Sequence, residues 1–176
     1  MTSRVANQIR TVLDGFRIVP AYLLLGILKH LVPLRSLVKW TWCETTGLRD
    51  RLAERRLTAN VLRLSKLLRI ADRDCLQRSL LLYRLLSAVG ADPELVVGLR
   101  EQDGKIIGHA WVLVDDVSIV EPESDLIRFS PVFRFGARGA LLPQMRAGCE
   151  PKTWHLIYGP DTIRWGNSSS PPAINL

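Results

Sequence analysis

The spacing of apolar residues changes along this chain, and that change restricts the fold more than any other feature. From about Asn7 to Leu68, leucine, isoleucine and valine recur every three or four residues between basic residues, with Pro20, Pro33 and Gly47 as punctuation. This is the period of helices, and two or three fit. The stretch Thr58–Ile70 is the cleanest, with Val61, Leu62, Leu64 and Leu68 on one stripe. From Glu94 onward the apolar residues are β-branched, run in short segments and are separated by turn residues, which is the pattern of strands. Helices first and strands afterwards predict an α+β fold, an antiparallel meander packed on the last helix.

That last helix opens at Ala71-Asp-Arg-Asp-Cys75. Asp72 can cap it, which places Cys75 in its first turn. It runs to Val89, where Gly90 supplies a left-handed stop. Leu76, Leu80, Tyr83 and Leu86 share a face that Leu82 and Leu85 widen, so burial on most sides is expected. The strands follow as Glu94–Arg100, a turn at Gln102-Asp-Gly-Lys105, Ile106–Val114, a turn at Asp115-Asp116, and Val117–Val120 leading into Glu121. Trp154–Tyr158 reads as a last strand, and Asn167-Ser-Ser-Ser-Pro-Pro172 as part of a mobile tail. Three regions result: a basic helical region over 1–70, a core over 71–165 and a tail over 166–176.

Charge is divided unevenly. Residues 1–70 carry 13 Lys/Arg against Asp14, Glu44, Asp50 and Glu54, a net +9; the remainder carries 11 basic and 13 acidic residues, a net −2. Such a region suits an anionic partner, whether an acidic protein surface, a membrane face or nucleic acid; the same charges would equally solvate helix faces. Nucleic acid ranks last, because aromatic-interleaved basic motifs and helix-turn-helix signals are missing. The apolar run Ile18–Leu28 ends at Lys29-His30, short of the roughly 18–20 residues of a spanning helix. A buried helix is the expectation there, with peripheral contact at a membrane interface as the lesser reading. Cys43, Cys75 and Cys149 are odd in number and widely spaced, which argues against a disulfide framework or zinc and for a reducing cytoplasm.

A cysteine in the first turn of a helix meets unpaired N–H groups and the positive end of the helix dipole, both of which favour a thiolate. A nearby imidazole would complete a nucleophile–base pair, and His109 lies 34 residues after Cys75 on a predicted strand. Each residue alone is more often structural: a buried small thiol, a satisfied core histidine. Cys43, Cys149, His30 and His155 lack this pairing of helix start and strand.

Three segments in register, Asp74–Leu86 around Cys75, Glu94-Leu-Val-Val-Gly-Leu-Arg100 and Gly108-His-Ala-Trp-Val112, together resemble the transglutaminase-like core of lasso-peptide leader peptidases. The resemblance is to the C-terminal domain of the microcin-processing B protein and covers roughly residues 70–125. The leucine- and arginine-rich helices before it are similar to that family's N-terminal extension. The resemblance implies a transglutaminase-like, papain-like core: a helix bearing cysteine against an antiparallel sheet bearing histidine and an acid. It also implies a cysteine protease without cofactor or metal, which hydrolyses a ribosomally made precursor peptide at its leader–core junction. Cys75 would be nucleophile and His109 general base and acid, and the core would pass to a separate asparagine-synthetase-like cyclase. Residues 1–70 show no strand trio for reading a leader, so a separate leader-recognition protein is expected, docked on the basic helices.

The family's third residue is an aspartate on the strand after the histidine; here Glu121 holds that place. A strict two-residue turn at Asp115-Asp116 would pair His109 with Pro122 and turn Glu121 to the other face. A three-residue loop over Val114–Asp116, or a bulge, is therefore expected, with Glu123 and Asp125 as fallback acids. Trp111, two residues from His109, would share its face and wall the cleft, or else pack in the core. Gly108 would allow close approach beside the histidine. Gln77 shows no clear role as a donor, and the Cys75 N–H is the expected oxyanion donor. The same fold also serves transglutaminase-like acyl transfer to amines, or an inactive interaction module.

Overall fold

The computed structural model of the protein describes residues 18–67 and 75–143, with the backbone of residues 163–164 and 173–174. Helix α1 occupies residues 18–31, followed by α2 (Leu34–Thr41), α3 (Arg51–Leu67) and α4 (Cys75–Ala88). Strands β1 (Pro93–Gln102), β2 (Lys105–Val114) and β3 (Val117–Ser118) come next. The short helix α5 (Glu123–Leu126) and strand β4 (Ser130–Phe135) follow. The sheet order is β3-β2-β1-β4, and every neighbouring pair is antiparallel. The α+β class expected from the apolar spacing is the one observed. A separate two-stranded ladder pairs β5 (Ile163–Arg164) with β6 (Ala173–Ile174). The Asp72 cap, the Trp154–Tyr158 strand, Cys149 and His155 lie outside the described residues.

Helix α4 is the centre of the molecule. Leu76, Gln77, Ser79, Leu80, Leu81, Leu82, Tyr83, Leu86 and Ser87 are all buried, so helices contact it on one side and the sheet on the other. The core they enter is continuous: Ile18, Tyr22 and Leu25 from α1, Leu34, Leu37 and Val38 from α2, and Leu57 and Val61 from α3 join Leu95, Val97, Ala110, Val112, Phe133 and Phe135 of the sheet. The basic helices thus form part of the same core as the strands. Helix α3 starts earlier than its apolar stripe suggests, because Asp50 Oδ1 accepts from the N–H groups of Leu52 (3.0 Å) and Ala53 (2.9 Å). Its buried stripe is Ala53, Leu57, Val61 and Ser65.

Two features depart from expectation. Helix α1 is buried on one side only; Leu23, Leu24, Ile27 and Leu31 on the other are 56–69% exposed. No helix among the described residues is long and apolar enough to cross a membrane. Strand β4, which lacks a clear alternating pattern, pairs with β1 and makes β1 central rather than an edge. Pro131 sits opposite Gly98 at a register shift, where one extra residue bulges out of the ladder. A proline within Ser-Pro-Val-Phe-Arg-Phe disguises the strand, and it is tolerated because β4 is an edge.

Polar clamps fix the layers. The Ser79 hydroxyl donates to the Ala110 carbonyl at 2.9 Å, joining α4 to β2 one residue from His109. Gln77 Nε2 donates to the Tyr22 carbonyl at 2.6 Å, joining α4 to α1. Gly26 permits this approach, since a Cβ there would meet Gln77 Nε2 at 2.9 Å. The buried Tyr83 hydroxyl donates to the Gly136 carbonyl and accepts from the Gly139 N–H. Substituting Ser79→Ala leaves the Ala110 carbonyl without its side-chain donor in a buried position. The expected loss is about 1–3 kcal/mol of unfolding free energy, measured by urea denaturation.

Candidate active site

Cys75 is the first residue of α4, half-buried and a free thiol. His109 lies on β2, directly across from Gly98 on β1. Because α4 crosses the sheet with Ser79 tied to Ala110, the helix start lies beside the strand position that carries the imidazole. His109 interacts with both the Cys75 side chain and Glu121. Its Nε2 lies 3.6 Å from Glu121 Oε1, with side-chain exposures of 22% and 12%. The structure therefore brings together Cys75, His109 and Glu121, the three residues that the sequence singles out.

The acid arrives by a route other than the one expected. The β2–β3 connection is the strict two-residue turn, with Val114 opposite Val117 and both aspartates left-handed (φ 53° and 61°). No third loop residue or bulge is present there. The argument that such a register would turn Glu121 away assumes that β3 continues, and it does not. The last ladder bond runs from the Ile119 N–H to the Val112 carbonyl at 3.1 Å, and residues 119–121 bend out of the sheet. Alternation of faces holds only within a paired strand, so Glu121 is released to curl back toward the imidazole. The turn aspartates are held elsewhere, Asp115 by Arg49 at 2.8 Å and Asp116 by Arg134 at 3.1 Å.

Around the imidazole the environment is part apolar, part charged. Its ring stacks on Phe129, with centroids 5.0 Å apart, and on Trp111 at 6.1 Å. The Arg100 guanidinium lies over the Phe129 ring, 4.8 Å from its centroid. Burial alone pulls the imidazole toward the neutral form. The interactions with Cys75 and Glu121, including the charges of those groups, outweigh it and raise the titration from 6.5 to about 9. A cleft of about 310 Å3 opens beside the ring, lined by Val120, Pro122, Asp125, Leu126 and Phe129 with His109, Glu121 and Arg78. Asp125 faces that cleft, whereas Glu121 is the acid that meets His109.

Trp111 is 5% exposed and packed, and neither it nor Gly108, which faces Leu99 across the ladder, is among the residues lining that cleft. Gln77 is committed to Tyr22, so it is a structural clamp. Three residues at the site escaped the sequence reading. Arg78, one helical turn after Cys75, forms an ion pair with Glu121; its i+3 spacing was a usable signal. Gly98 leaves room for the indole, since a Cβ there would meet Trp111 Cη2 at 2.8 Å. Phe129 comes from the connection between α5 and β4, and no local pattern marks it.

A family model described as the transglutaminase-like superfamily matches residues 19–134. The chain belongs to the transglutaminase-like superfamily. The match starts in α1 and ends in β4, so this transglutaminase-like unit takes in the basic helices as well as the sheet and includes Cys75, His109 and Glu121. The superfamily contains both cysteine proteases and acyltransferases. No curated protein and no solved structure matches the chain.

Because His109 of this transglutaminase-like site holds its proton to about pH 9 when folded, against 6.5 ordinarily, protonation favours the folded state. That contribution is complete below about pH 6.5 and is lost as pH rises through 9. Titration of the imidazole C2–H by NMR is expected to give a midpoint near 9 that falls in both Cys75→Ala and Glu121→Gln. The urea midpoint of the wild type is expected to fall across the same window, a slope that His109→Gln removes.

Proposed function

We propose that this protein is a cysteine peptidase that cuts a ribosomally made precursor peptide at its leader–core junction, as in lasso-peptide maturation. The observation that carries the peptidase reading is a single imidazole set between a thiol at a helix start and a carboxylate 3.6 Å from its Nε2. The precursor class rests on the likeness of the segments around Cys75, Glu94–Arg100 and Gly108–Val112 to leader peptidases.

Cys75 serves as nucleophile. With the imidazole protonated over the working range, the sulfur sits against a cation, the setting in which a thiolate forms and attacks. Sulfur bonds to the scissile carbonyl carbon, and the oxygen takes the electron pair, facing the Cys75 backbone N–H as one donor. As the carbonyl re-forms, the C–N bond breaks and the His109 proton passes to the departing amine, leaving a thioester on Cys75. A water molecule then gives its proton to His109 and its oxygen to the acyl carbon. The thiol is regenerated, and the leader leaves as a carboxylic acid. Glu121 engages Nε2, which leaves the Nδ1 edge of the ring for the sulfur.

Acyl transfer to an amine is the second reading. Hydrolysis is the first, supported by the likeness of the segments around Cys75 and His109 to leader peptidases. The partners in this reading are the precursor, a separate leader-recognition protein docked on the basic helices, and an asparagine-synthetase-like cyclase that accepts the released core. The thiols Cys43 and Cys75, both free, suit a reducing cytoplasm.

Incubation of the full chain and its recognition protein with a precursor, followed by mass spectrometry, tests the proposal. One cut at the leader–core junction is expected, abolished in Cys75→Ala and His109→Ala and slowed about 10–100-fold in Glu121→Gln. Added hydroxylamine should not be needed for turnover. Cleavage that survives Cys75→Ala would sink the peptidase reading, and turnover only with an amine acceptor would establish the transferase.

A further inference from the structure

We infer that Arg78 is the positioning residue that allows a glutamate to serve as the acid of this site, by fixing the Glu121 carboxylate against the edge of the His109 ring. The inference rests on the peptidase reading for its purpose, although its geometry does not involve the nucleophile.

A glutamate has one more rotatable bond than the aspartate of the resembling family, and its backbone lies where the sheet has already ended. Beyond Ile119 no ladder fixes the chain, so the strand does not aim the carboxylate. Arg78 supplies that constraint. It lies on α4, three residues after Cys75, and its Nη2 engages Glu121 Oε1, the same oxygen that stands 3.6 Å from His109 Nε2. Both partners are largely withdrawn from water, with side-chain exposures of 11% for Arg78 and 12% for Glu121. An ion pair so enclosed is screened little and holds its geometry better than a surface pair.

One helix therefore governs both sides of the imidazole. Cys75 presents the sulfur from the start of α4, and Arg78, on the next turn, holds the carboxylate. The acid then orients the ring. A lysine would keep the charge but lose the rigid guanidinium plane that holds Nη2 on Oε1.

The sign of one measurement separates positioning from plain charge. A cation near His109 depresses imidazole titration, so deleting Arg78 as a mere charge would raise the midpoint. Deleting it as the holder of Glu121 would lower it. The full-length chain is titrated by NMR in the Cys75→Ala background, with Arg78→Met, Arg78→Lys, Glu121→Gln and the Arg78→Met/Glu121→Gln pair. Arg78→Met and Glu121→Gln are each expected to lower the His109 midpoint, by up to about one pH unit or tenfold in proton affinity. The pair should lower it no further than either alone. Arg78→Lys should recover part of the shift, and it carries the comparison if Arg78→Met does not fold. A raised or unchanged midpoint in the folded Arg78 variants, or additive effects in the pair, would overturn the inference. Since Cys75 is absent throughout, those results leave the peptidase reading standing. Loss of precursor cleavage by the wild type would overturn that reading instead.

Discussion

One of the bonds between layers, from the Ser79 hydroxyl to the Ala110 carbonyl, ties α4 to β2 beside His109, and the functional geometry depends on that position. Apolar packing alone would hold the helix on the strands, because Leu80, Leu81, Leu82 and Leu86 are all buried. Burial is nearly indifferent to a displacement of an ångström or so, whereas a hydrogen bond is not. The clamp sits one turn after Cys75 on the helix and next to His109 on the strand. A directional contact thus stands between the two groups whose distance matters most.

The site itself balances opposing terms. Phe129 and Trp111 flank the imidazole and withdraw it from water, which disfavours its cationic form. The interactions with Cys75 and Glu121 favour that form, and they win. The outcome is a proton held firmly near neutrality in a setting dry enough for its charge to act on the sulfur. Similar pairing recurs in the frame around it. Arg134 bridges Glu94 and Asp116, and Arg49 bridges Glu54 and Asp115, so both left-handed turn aspartates are anchored to other elements. The β2–β3 turn that launches the chain toward Glu121 is thereby held at both residues.

Some of the site could be read from local pattern. Asp103-Gly104 fixes a two-residue turn with left-handed residues at both positions, and that turn alone sets the β1–β2 register. It places Gly98 opposite His109, a pairing that sequence could have supplied. Arg78 was equally within reach, as the i+3 neighbour of Cys75. Strand β4 and Phe129 were hidden because a proline and a bulge break the alternation on which strand recognition depends. The route by which Glu121 reaches His109 was hidden for a related reason. The alternation rule that argues against a two-residue turn presumes a strand longer than Val117–Ser118.

By itself the sequence determined the order of helices and strands, the hairpin between β1 and β2, the place of Cys75 at a helix start and the place of His109 on a strand. Each follows from spacing, caps and turn residues within a few positions of one another. Only the tertiary structure decided where β3 stops, which face of α1 stays uncovered, that β4 closes the far side of β1, and that Arg78 and Glu121 meet at the imidazole. Those outcomes depend on the competition between distant surfaces for burial and between distant charges for partners, and a local pattern carries no record of that competition.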